Sequence, residues 1–203
     1  MSPLAILVTS LLAALSLASP VARQTPVCPW NGVPDASNFT LLSVSRADTS
    51  VRKPLALGSN GLPSPSSAAW LGTAESIDSI VAQNFVLTNG GITAYGSNGS
   101  LVGVSNPVAT ENGWLSFLLP DEGVTIPPAE VYCELFNTSP HGAEFPFTLA
   151  LNGGDSDNFS LCKSSTSDEF VVVYNVVQAS SEDAGYEWTT CTAVDVHVLA
   201  VTQ

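Results

Sequence analysis

The sequence predicts an all-β domain, either an antiparallel β-sandwich or a closed β-barrel, with a β-trefoil as the alternative. Three observations lead there. Around nine short runs rich in β-branched and aromatic residues are separated by Gly, Asn, Asp, Ser and Pro. Only residues 73–83 carry helical spacing, with Ile77, Ile80 and Val81 on one face of a short turn of helix. A parallel α/β fold would need amphipathic helices between its strands. Finally, Cys28, Cys133, Cys162 and Cys191 form an even set downstream of an apolar leader, the pattern of a disulfide-stabilised exported domain.

The leader is expected at residues 1–18. Leu4 to Leu17 is almost unbroken apolar sequence, too short for a membrane span. Cleavage after Ala18 would leave residues 19–203 as one domain, a length that suits one core better than two. Four cysteines allow three pairings, of which Cys28–Cys133 with Cys162–Cys191 is the expected one. Their spacing does not fit a CxxC zinc or redox site.

The elements follow in order. Asn38 to Val44 (NFTLLSV) opens the series, with Lys53 to Leu57 as its expected partner, and Gly58 to Ala69 reads as a Ser/Pro/Gly-rich loop. Phe85 to Thr88 and Ile92 to Tyr95 flank Asn89-Gly90-Gly91, a hairpin signal, because Asn and Gly accept the positive φ of tight turns. Leu101 to Val104, Trp114 to Leu119, Glu130 to Phe136, Phe147 to Leu151, Phe159 to Cys162 and Glu169 to Val177 continue as strands. In the last, Cys191 to Val201, Val194, Val196 and Val198 alternate with Asp195 and His197, which places His197 on the solvent side. The trefoil alternative rests on two F-x-L…N-G segments, at Phe85 to Gly90 and Phe147 to Gly153.

The search for chemistry yields few candidates. No G-x-S-x-G elbow is present, and His141 and His197 are the two imidazoles, His141 in a Pro/Gly turn. A glycosidase would need two carboxylates at fixed separation, which scattered acids do not identify. Gly153 to Asn158 (GGDSDN) has alternating oxygen ligands but lacks the EF-hand pattern, so a polar turn is expected. No catalytic, cofactor-binding or metal-binding residue is assigned. Trp30, Trp70 and Trp188 stand near loops, where they are candidates to stack on sugar, whereas Trp114 reads as core. N-glycosylation sequons occur at Asn38, Asn98, Asn137 and Asn158, the third followed by Pro140. With 5 Lys+Arg against 18 Asp+Glu, the formal charge of −13 disfavours nucleic acid and anionic membranes as partners.

Asn84 to Tyr95 (NFVLTNGGITAY), Gly113-Trp114 and Phe147 to Cys162 (FTLALNGGDSDNFSLC) resemble the PhiA-like fungal cell-wall proteins. Phe170 to Val177 and Cys191 stand where that family has its alternating strand and final Cys. The likeness runs from about Asn84 to Thr202. Residues 120–144, with Cys133, look inserted, the region before Asn84 matches poorly, and Ile92 replaces a Leu. The resemblance implies a secreted, non-catalytic wall or surface role in a filamentous fungus, with cell-wall polysaccharide as a candidate partner. A carbohydrate-binding or host-interacting module is the alternative, and a small glycoside hydrolase a more distant one.

Overall fold

The computed structural model describes residues 28–58, 68–107, 111–121, 123–138, 144–178 and 184–201. The leader, most of the Ser/Pro/Gly-rich loop, His141 and the Glu182-Asp183 pair lie outside the described residues.

Fifteen strands make one sheet: β1 (Gly32–Val33), β2 (Ala36–Ser45), β3 (Arg52–Gly58), β4 (Ala68–Thr73), β5 (Ile80–Ala82), β6 (Asn84–Thr88), β7 (Gly91–Tyr95), β8 (Leu101–Ser105), β9 (Gly113–Trp114), β10 (Ser116–Leu118), β11 (Tyr132–Phe136), β12 (Phe147–Leu151), β13 (Phe159–Ser164), β14 (Phe170–Tyr174) and β15 (Tyr186–Ala200). Every pairing is antiparallel. Nine strands, in the order β15-β13-β14-β4-β10-β8-β7-β6-β2, close into a barrel where β2 meets β15, from Ser45↔Val194 to Phe39↔Ala200. Of the predicted architectures, the closed barrel is the one realised. β3 also ties β2 to β4, so this wall is braced twice.

The interior follows from strand alternation. Phe39 and Leu41, Leu55 and Leu57, Phe85 and Leu87, Phe159 and Leu161, Val172 and Tyr174, and Val194, Val196 and Val198 all enter one buried cluster. A smaller cluster outside the barrel wall gathers Trp70, Cys162, Val171, Val173 and Tyr186, with Trp114 and Cys191 against it. There Cys162 bonds Cys191 across a long bulge of β15, in which residues 188–191 face Cys162 alone on β13. Cys28–Cys133 anchors the segment just ahead of β1 to β11. Both expected disulfides are present and no cysteine is free, which is the chemistry of an oxidising compartment.

The expected hairpin over β6 and β7 is present, but Gly91 joins β7, so the turn is the two residues Asn89, at φ 50°, and Gly90, at φ 78°. The second F-x-L…N-G segment does not repeat it: β12 pairs with β11 and β15, not with the strand that follows, so no trefoil repeat arises. Residues 73–83 form no helix. Ile77 alone of the three apolar residues is buried, seated where a Cβ on Gly58 would lie 2.6 Å from its Cγ2, while Ile80 is exposed. Residues 80–82 instead form β5 on β3, because that edge offers backbone partners a single helical turn could not replace.

The two ends of the barrel differ. At the Ala36 end, β11 and β12 fold over the β6–β7 turn, with the Tyr132 N–H donating to the Gly90 carbonyl (2.9 Å) and Tyr132, Leu149 and Leu151 filling the interior. The end marked by Ser45 carries no such flap among the described residues and holds a recess.

Candidate functional site

At the open end, the inward side chains change character. Along β2 the series Phe39, Leu41 is followed by Ser43 and Ser45; along β3 Leu57 and Leu55 are followed by Lys53; along β15 Val196 and Val194 are followed by Thr192. Val51, Leu161 and Phe170 complete the wall of a recess of about 230 Å³. Ser43 and Ser45 are buried, at 1% and 7% exposure. The Ser43 hydroxyl donates to the Lys53 carbonyl (3.1 Å), and the Ser45 hydroxyl accepts from the Asp48 N–H (3.4 Å). The Lys53 ammonium pairs with Glu75 and lies 5.4 Å from the centre of the Phe170 ring. Among the described residues no acid lines this recess.

A second recess, of about 320 Å³, lies on the outer surface among Asn31, Phe136, Asn137, Thr148, Asp157 and Asp195. Its two carboxylates are committed. Arg46 donates through Nε to Asp195 (2.8 Å), through Nη2 to the Ser156 carbonyl (2.9 Å), and through Nη1 to the Asp157 carbonyl, and its Nη2 lies 3.3 Å from the Asp157 carboxylate. One guanidinium therefore clamps both acids and the polar turn between them. Phe136 is exposed at the rim, and Trp30, next in the chain to Asn31, is 95% exposed.

The predicted residues fall as follows. Trp30 projects into solvent and Trp188 is partly exposed on the β15 bulge. Trp70 is no surface residue: it sits in β4, 3% exposed, edge-on to Trp114 at 6.0 Å. The Trp114 indole N–H, half-buried, donates to the Ala184 carbonyl (2.8 Å). His197 corrects a second expectation. It points out of the barrel, as alternation requires, yet is 4% exposed, because Phe145 stacks on it at 4.7 Å and Arg52 covers Phe145. Its Nδ1 lies 3.2 Å from the Phe147 carbonyl. Burial holds its pKa below the ordinary value, against a smaller upward pull from that carbonyl and from Asp195.

The GGDSDN segment is a polar turn. Burial raises the Asp155 carboxyl, but bonds from the Tyr174 hydroxyl (2.5 Å), the Asn158 amide (2.8 Å) and the Asp157 N–H (3.0 Å) outweigh it and leave the pKa lowered. Among the described residues no group of three or more His, Cys, Asp or Glu is placed to hold a metal ion. The sequons differ in presentation. Asn98 is exposed on the β7–β8 turn and uses only its Oδ1 among the described residues, accepting from Ser100. By contrast, the attachment nitrogens of Asn137 and Asn158 donate to the Phe145 carbonyl and to Asp155 (both 2.8 Å). Asn38 is half-buried at a bulge in β2.

Two buried acids escaped the sequence reading. Glu134 has its pKa raised by burial; Glu169 has its pKa raised by burial, partly offset by Trp70 and Ser167. The Ser167 hydroxyl donates to Glu169 at 3.4 Å, while the buried Trp70 N–H closes no hydrogen bond of ordinary geometry. Neither acid lines either recess. Arg46 and the inward run Ser43, Ser45, Lys53 were equally missed. Their signal is the change from apolar to polar at alternate positions along β2 and β3, which acquires meaning only once the barrel is closed.

Comparison with family models, with curated proteins and with solved structures finds no match to this chain.

Proposed function

We propose that this chain is a secreted, glycosylated, non-catalytic protein of the wall or surface of a filamentous fungus. The observation that carries the reading is Arg46. In the outer recess one guanidinium pairs with both Asp157 and Asp195, so each carboxylate is committed to a structural ion pair rather than left free as the acid or nucleophile of a glycosidase. The disulfide-stapled barrel and the resemblance to PhiA-like wall proteins support the same reading. Fractionation tests it: the protein is expected in washed hyphal walls. Recovery from culture medium alone, or polysaccharide hydrolysis abolished by Asp195→Asn, would overturn it.

One feature favours carbohydrate binding as a second reading. The outer recess is lined by amide, hydroxyl and carboxylate groups, with exposed Phe136 at its rim and exposed Trp30 next in the chain to the lining residue Asn31, the mixture that hydrogen-bonds and stacks on sugar rings. Titration with soluble β-glucan oligosaccharides, followed by tryptophan fluorescence, separates the two readings. Saturable quenching lost in Trp30→Ala and kept in Trp188→Ala supports a sugar site; no quenching removes it.

A further inference from the structure

The open barrel end is built differently from a solvated strand terminus. Its lining is mostly polar on one side and mostly apolar on the other: Ser43, Ser45, Lys53 and Val51 come from the β2–β3 side, and Leu161, Phe170, Val194 and Thr192 from the β13–β15 side. Both serines are inward and buried, at positions where an unbroken core would carry apolar side chains. Ser45 accepts from Asp48, and among the described residues its own proton is not spent. β-Barrel mouths that combine apolar walls with a few convergent polar groups are common places for small ligands.

Charge narrows the choice of ligand. The chain carries a formal −13, yet its two lysines, Lys53 and Lys163, both adjoin Phe170: the Lys53 ammonium lies over its ring and Lys163 is its β-ladder partner. Among the described residues the lining contains no acid, and Lys53 pairs with the exposed carboxylate of Glu75, which an incoming anion could displace. A dry cavity of ~150 Å³ accommodates benzene, so about 230 Å³ suits a substituted ring or a medium alkyl chain.

We propose that the barrel mouth binds a small hydrophobic monocarboxylate, its head held by Lys53 and Ser45 and its body by Leu161, Phe170 and Val194. The site is separate from the outer recess and does not depend on wall association.

The test uses the intact secreted protein, with octanoate and octan-1-ol as probes and amide NMR shifts as the readout. Octanoate is expected to shift Phe170, Thr192 and Val194 saturably and to bind about tenfold more tightly than the alcohol, the scale of one charge-assisted contact. Lys53→Met should erase that preference. Glu75→Gln, at an exposed position, should strengthen octanoate binding by freeing Lys53. Ser45→Leu, with its fold checked by the same spectrum, should fill the mouth and abolish both. The proposal fails if the shifts map to Trp30 and Asn31, if the alcohol binds the wild type as tightly as octanoate, or if Lys53→Met leaves octanoate affinity unchanged. Absence of any saturable shift in the wild type also overturns it.

Discussion

At one end of the barrel Tyr132, Leu149 and Leu151 of the β11–β12 flap are wholly buried; at the other, Ser43, Ser45 and Lys53 point into a recess. The same inward register serves both ends, yet one is plugged and the other is not. The plug comes from a segment distant in sequence, held by Cys28–Cys133 and by backbone bonds to the β6–β7 turn. The open end has no such flap among the described residues, and its disulfide, Cys162–Cys191, lies on the outer wall where it closes a bulge. Stability is therefore concentrated at the capped end, and room for a ligand remains at the other.

Removing the two disulfides gives the largest expected difference. Cys28→Ala with Cys133→Ala opens a loop of 105 residues, and Cys162→Ala with Cys191→Ala one of 29. The chain-entropy relation gives losses of about 4–5 and about 3–4 kcal/mol respectively. Urea midpoints at unchanged m-value would measure both, and a greater loss at the outer-wall bond would contradict the ordering. Next, Tyr132→Ala should cost about 3–5 kcal/mol as a buried aromatic truncation, whereas Ser45→Ala should cost less than about 1 kcal/mol. Equal costs would show that the mouth is as tightly packed as the plug.

Proton linkage sharpens the comparison. Glu134 sits at the capped end and Glu169 beside the mouth; both have pKa values raised by burial from 4.5. For each, the folded chain holds the proton more tightly than the unfolded one. Both acids therefore weaken the fold at neutral pH, and the penalty is relieved as pH falls through the folded pKa towards 4.5. Glu134→Gln is expected to raise Tm at pH 7, with the gain vanishing below about pH 4, and to do so more than Glu169→Gln, whose carboxylate has Ser167 as a donor. His197 acts with the opposite sign. Its lowered folded pKa means that the unfolded chain protonates first below 6.5, so stability is lost from there down to the folded pKa. His197→Gln should flatten that part of the Tm–pH curve, and an unchanged slope would show that the ring is not held neutral by the fold.

The smallest effect concerns a single atom. The Tyr132 hydroxyl is buried with no hydrogen-bond partner among the described residues, and burial pushes its pKa well up. Tyr132→Phe should stabilise by about 1 kcal/mol, since it removes a desolvated polar group and keeps the ring. A loss on that change would reveal a polar partner for the hydroxyl.

Local sequence determined much of this protein. Alternation fixed which faces of β2, β6 and β15 turn inward; Asn89 and Gly90, which both accept positive φ, marked the hairpin; and the even cysteine count after an apolar N-terminal stretch pointed to disulfides. Tertiary structure decided the rest, because whether a face meets solvent or protein depends on chain segments far away. His197 alternates outward as expected and is buried because Phe145 lies over it. Trp70 reads as a loop residue and becomes core through contact with Trp114 and β14. Residues 73–83 carry a helical pattern and become an edge strand because β3 supplies backbone partners. Lys53, Ser43 and Ser45 are ordinary polar residues in the sequence; closure of β2 on β15 alone turns them inward together, since a ring of strands gathers into one mouth positions that the chain keeps apart.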